Sequence, residues 1–131
     1  MNHDDMLNQI FFRQGELITM IQSKQRDNGM DILPVHKFGE LDDRQVAQEI
    51  TGCLGFCIEE IVEALRELPA RKPWKANPAP AEWDKFRTEM SDALAFFVEA
   101  CIFAGIGPAD LAAGFAGVTR KNVERASTNE Y

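Results

Sequence analysis

Two short acidic motifs carry the residues best suited to chemistry. Glu60 and Glu63 flank Ile61-Val62, and Glu89 and Asp92 flank Met90-Ser91. Each pair reads acid-x-x-acid, and residues three apart share one face of an α-helix. A helical hairpin joining the motifs would bring four carboxylates, or five with Glu59, together inside a bundle. Unpaired, such carboxylates repel one another and resist burial. A divalent cation relieves both problems, and hard oxygen ligands select Mg²⁺ or Mn²⁺. A solvated acidic face is the plain alternative, because single Glu-x-x-Glu matches are common on helices. Both motifs abut apolar stripes instead of lying opposite them, which favours the metal site. A carboxylate-held Mg²⁺ most often serves phosphate chemistry. Lys75, Lys121 and Arg125 would then hold the outer phosphates. No GxxxxGK[ST] loop is present, so a P-loop enzyme is excluded.

Four helices are expected to position these groups. Asp4 and Asp5 suit a helix start, and Met6, Leu7, Ile10, Phe11, Leu17, Ile18 and Ile21 keep helical spacing to about Lys24. Gln14 lies inside that stripe. Its amide either reaches water at the stripe edge or recognises a polar ligand such as a base edge. Residues 25–42 read as a polar connection punctuated by Gly29, Pro34 and Gly39, in which His36 and Lys37 are solvated. Asp42 or Asp43 caps a second helix from Val46 to Leu68. Its apolar stripe is wide enough to be covered from more than one side, which implies subunit contacts. Cys53 and Cys57, one turn apart, read as small buried hydrophobes ahead of a soft-metal pair.

Four prolines between Leu68 and Pro80 exclude regular structure there. Arg71, Lys72 and Lys75 surround Trp74 in this loop. The tryptophan either plugs back into the core or offers an aromatic surface for a base or sugar beside a phosphate-binding loop. The third helix is expected from Glu82 to about Ala104. Gly105-Ile106-Gly107 stops it, and Pro108 opens a fourth helix that ends in Arg120-Lys121-Asn122 and Arg125. Residues 126–131 read as a flexible tail. No strand alternation or repeat is present, so the fold class is all-α, a single domain over residues 1–131 built as a four- to five-helix bundle.

Composition narrows the class further. The 131 residues are 45% hydrophobic, enough for one core, and carry a formal charge of −7. That charge argues against a sequence-independent nucleic-acid binder. No stretch approaches the about 20 apolar residues of a membrane span. The absence of a basic segment before an apolar run, and three cysteines without a CxxC, lead us to expect a cytoplasmic protein, bacterial or phage-encoded.

Glu60-x-x-Glu63, then Glu89-x-x-Asp92, then Lys121-Asn122-x-x-Arg125 after a fourth helix resembles the all-α nucleoside triphosphate pyrophosphohydrolases, which include MazG-like proteins, dimeric dUTPases and dCTPases. The resemblance covers roughly residues 7–125. Gln14, Trp74-Lys75, and Lys121-Asn122 before a terminal Tyr131 look like the dimeric dUTPase branch, while the compact length is nearer to MazG-like and phage-type enzymes. The resemblance implies Mg²⁺ held by Glu60, Glu63, Glu89 and Asp92, with Glu59 beside the ligands or orienting the water. It implies attack on the α-phosphorus and release of pyrophosphate. It also implies base or sugar contacts from Gln14, Trp74 and Asn122, and a pocket completed by a neighbouring subunit in a homodimer or homotetramer. dUTP is the leading substrate expectation. A purine or non-standard triphosphate such as dGTP comes next, and a non-catalytic nucleotide-binding or oligomerisation module is the remaining alternative.

Overall fold

The computed structural model describes residues 3–128 and contains only helices, turns and connections among them. Four long helices follow in order: α1 (His3–Asp27), α2 (Asp43–Arg66), α3 (Trp83–Phe103) and α4 (Pro108–Ser127). α1 already includes His3, so Asp4 and Asp5 lie inside its first turn instead of capping it. It also runs three residues beyond the expected end. Gly29 stops it at φ 85°, with Gly29 N–H on the Arg26 carbonyl and Met30 N–H on the Gln25 carbonyl. That pairing needs a left-handed residue, which glycine adopts without a Cβ penalty. Gly105, at φ 73°, ends α3 the same way.

The start of α2 is fixed by a reciprocal cap. Asp42 Oδ1 accepts from Gln45 N–H at 2.9 Å, and Gln45 Oε1 accepts from Asp42 N–H at 3.0 Å. Gly107 and Pro108 open α4, with Asp110 Oδ2 accepting the Gly107 N–H at 3.0 Å. α4 continues through Ser127, so Ala126 and Ser127 of the expected tail are helical and Thr128 caps the end. Tyr131 lies outside the described residues.

The connection between α1 and α2 is more ordered than its composition suggests. A short 3-10 helix spans Val35–Glu40 and buries Phe38. Phe38 stacks on Phe103 with ring centroids 4.4 Å apart. The buried Gln22 on α1 ties this segment down, accepting from Val35 N–H at 2.9 Å and donating to the Leu33 carbonyl at 3.3 Å. His36 and Lys37 are exposed. The Pro-rich connection likewise holds one short 3-10 turn, Pro69–Arg71.

α2 and α3 form the main antiparallel hairpin, α1 lies on α3, and α4 packs on α1. The buried positions of α2 and α3 are mostly small: Cys53, Cys57, Ala64, Ala93, Ala100 and Cys101. Small side chains let the helices approach closely, and the large apolar residues then face outward. Leu54, Ile58, Ile61, Val62 and Leu65 on α2, and Phe115 and Val118 on α4, are all exposed. Among the large side chains only Val98 is fully buried. A compact chain of 14.7 kDa exposes about 6,900 Å², whereas this one exposes 9865 Å². The difference exceeds the roughly 800 Å² that each partner gives to a standard interface. No single described helix is long and apolar enough to cross a membrane.

Candidate metal centre

The hairpin delivers the two motifs to one place. One carboxylate oxygen each from Glu60, Glu63 and Glu89 lie within 4.8 Å of one another. α2 supplies Glu60 and Glu63 one turn apart, and α3 brings Glu89 across from them. Glu60 and Glu89 are half-buried, and Glu63 is exposed.

The electrostatics of this cluster are unbalanced. The described ion pairs are Lys85 with Glu82 and Arg87 with Asp84, both near the start of α3, and neither reaches the three acids. Glu60 Oε2 is buried and has no hydrogen-bond partner. The Glu60 carboxyl is pushed up to about 7 from its ordinary 4.5, first by sharing a hydrogen bond with Glu89, then by desolvation and by Glu63. Without a cation, then, Glu89 and Glu63 both favour a proton on the Glu60 carboxyl. The donor set is three hard oxygens with one buried lone pair to spare, which fits a Mg²⁺ or Mn²⁺ ion that keeps several waters. Such an ion would displace the proton.

The remaining expected residues lie elsewhere. Asp92, one turn along α3 from Glu89, is exposed and outside the cluster. Its side chain is one methylene shorter than a glutamate, so it reaches less far across the hairpin. Glu59 is exposed on the neighbouring flank of α2. Trp74 is 76% exposed, which rules out the plug into the core. Lys75 beside it is also exposed. Lys121, Asn122 and Arg125 are exposed along α4, whose main contacts are with α1. Gln14 is half-buried on α1. The structure therefore brings together three of the metal-ligand candidates, and within this chain it gathers neither the cations nor the base-contact residues around them.

A second polar feature escaped the sequence reading. Cys53, Glu49 and Glu99 adjoin one another at the opposite end of the same hairpin. Burial pushes the Cys53 thiol up to about 12, with Glu99 and Glu49 adding to the effect. Burial also raises the Glu99 carboxyl. The available signal was Glu99 itself, an acid inside the apolar run from Phe96 to Cys101. Cys53 and Cys57 are both buried free thiols, as expected.

No protein-family model, no curated protein and no solved structure matches this chain.

Proposed function

We propose that the protein is a Mg²⁺-dependent pyrophosphohydrolase that cleaves a nucleoside or deoxynucleoside triphosphate to the monophosphate and pyrophosphate. The observation that carries this reading is the Glu60–Glu63–Glu89 cluster, with the Glu60 Oε2 oxygen buried and unpartnered. Removing a carboxylate from water without a partner is strongly unfavourable, so a cation is its natural complement. The resemblance of Glu60-x-x-Glu63 and Glu89-x-x-Asp92 to the all-α pyrophosphohydrolases supports the same chemistry.

Mg²⁺, when bound, neutralises phosphate charge and lowers the pKa of water. Glu60, Glu63 and Glu89 would hold it, and a rotamer change would add Asp92. Water attacks the α-phosphorus while the bond to the α–β bridging oxygen breaks. Pyrophosphate leaves with that electron pair, and the water proton passes to a carboxylate, with Glu59 and Glu63 the candidates. Lys75, Lys121 and Arg125 are free to meet the outer phosphates. Because α4 lies away from the cluster, Lys121 and Arg125 would come from a second copy. The exposed apolar faces of α2 and α4 support a homodimer or homotetramer.

The test is a panel of ribo- and deoxynucleoside triphosphates in Mg²⁺, with products separated. Pyrophosphate release that EDTA abolishes is the expected result. Release of a single phosphate would refute attack at the α-phosphorus. The same exposed apolar faces favour, as a second reading, a non-catalytic oligomerisation module. Absence of any product with Mg²⁺ or Mn²⁺ would select it.

A further inference from the structure

We propose that the cavity at the α1 end of the α2–α3 hairpin is the base pocket for the nucleotide, and that it takes guanine in preference to uracil or thymine. This rests on the pyrophosphohydrolase reading and departs from the expectation of dUTP.

The cavity measures about 590 Å³, is open to solvent on one side, and is lined by α1, the α1–α2 connection, α2 and α3. That volume lies in the range of small-molecule sites. One wall is the Phe56–Phe96 pair, with ring centroids 5.4 Å apart. The Phe38–Phe103 stack also lines it. Flat aromatic walls suit a flat ring, because offset or tilted stacking is favourable.

The polar lining decides which ring. Asp31, Glu49 and Glu99 line the cavity with the Gln25 and Gln48 amides among others, and among the described residues no lysine, arginine or histidine lines it. An ionised carboxylate only accepts hydrogen bonds. Phosphate is therefore excluded, and a ligand edge rich in N–H donors is selected. Guanine presents N1–H and the 2-amino group side by side, so one carboxylate can accept from both. Uracil and thymine place a carbonyl on each side of their single N–H. At least one of these acceptors would then oppose a carboxylate oxygen. A site built to read a hydrogen-bonding edge discriminates strongly against a ligand that leaves its groups unpaired. Burial already raises the Glu99 carboxyl, and a donor pair from the base would favour its charged form.

The helical register joins this cavity to the carboxylate cluster. Glu49, Gly52, Phe56, Glu60 and Glu63 follow at intervals of three or four along α2 and so share one face. Phe56 lies about one turn, roughly 6 Å of rise, from Glu60. A nucleotide lying along the hairpin would place its phosphates at Glu60 and its base beyond Phe56.

The test separates base recognition from catalysis. Free 2′-deoxyguanosine and 2′-deoxyuridine are titrated without metal into the full chain and followed by ligand-observed NMR. Hydrolysis of dGTP and dUTP is measured separately in Mg²⁺. Deoxyguanosine is expected to bind at least tenfold more tightly than deoxyuridine. A Cβ at Gly52 meets nothing within 4 Å, so Gly52→Leu extends into the cavity and should abolish that binding. The double variant Glu49→Gln/Glu99→Gln keeps the shape and should erase the preference. Equal binding of the two nucleosides, no binding of either, or unchanged binding by both variants would overturn the proposal. Failure of the catalytic reading looks different: no triphosphate is hydrolysed, yet deoxyguanosine still occupies the cavity.

Discussion

The two ends of the α2–α3 hairpin both hold half-buried carboxylates, and they do so differently. At the end near the Pro-rich connection, Glu60, Glu63 and Glu89 converge on one another with a buried oxygen left unpartnered. At the end near α1, Glu49 and Glu99 are spread along a cavity walled by phenylalanines, with the Cys53 thiol between them. At the first end the Glu60 carboxyl is raised chiefly by its hydrogen bond to Glu89, and at the second the Glu99 carboxyl is raised chiefly by desolvation. The first arrangement calls for a cation and the second for neutral hydrogen-bond donors.

The largest expected effect would break the first end. Glu60→Ala should lower turnover by more than the roughly 10–100-fold that outer-shell changes around a metal cost. It should also abolish stabilisation by Mg²⁺. In the unsubstituted chain, Mg²⁺ at a hundredfold excess over its Kd should add about 2.7 kcal/mol, a rise of roughly 10 °C in Tm. Calorimetry with and without the ion checks both, and an undiminished Mg²⁺ response in Glu60→Ala would remove the metal centre.

The next effect belongs to the second end. Phe38 is buried and stacked on Phe103. Phe38→Ala should cost about 3–5 kcal/mol in urea denaturation while leaving the Mg²⁺ response of the folded protein in place. A loss of that response would mean that the two ends are not separable.

pH should distinguish them more finely. The folded, metal-free protein binds the Glu60 proton more tightly than the unfolded chain does. The associated stability is present in full below about 4.5 and is lost as pH rises through about 7. Glu60→Gln should flatten this part of the stability profile. Mg²⁺ should reverse its slope, because the ion competes with the proton. The raised Glu99 carboxyl contributes with the same sign, but Mg²⁺ should leave its share untouched.

The smallest effect concerns Trp74. At 76% exposure it holds little together, so Trp74→Ala should change stability by less than about 0.5 kcal/mol. A larger KM for a nucleotide with unchanged stability would give it the ligand contact that its exposure permits.

Sequence periodicity located α2, α3 and α4 well because apolar spacing and end signals agreed, as at Asp42 and at Gly105 with Pro108. It also placed Glu60, Glu63 and Glu89 together, since acids three apart on paired helices have few other ways to face. The ordered α1–α2 connection was not legible, because Phe38 reaches Phe103 across the fold and Gln22 bonds to backbone atoms that no local pattern marks. Trp74 illustrates the same limit in reverse, since nothing in a Pro-rich loop tells whether its aromatic ring turns inward. The cavity was hidden because Glu49 and Glu99 lie far apart in the chain and become neighbours only once the hairpin closes.

The narrow seam of cysteines and alanines between α2 and α3 also has a consequence in time. The hairpin joins helices adjacent in sequence, so its contacts are local, and local contacts form quickly. The outward rows of Leu54, Ile58, Val62 and Leu65 stay uncovered when that step is complete. On the proposed oligomer, covering them by a second copy is a bimolecular event, set by concentration. Refolding of this chain should therefore show a fast helical phase independent of protein concentration, followed by a slower one that accelerates as the protein is concentrated.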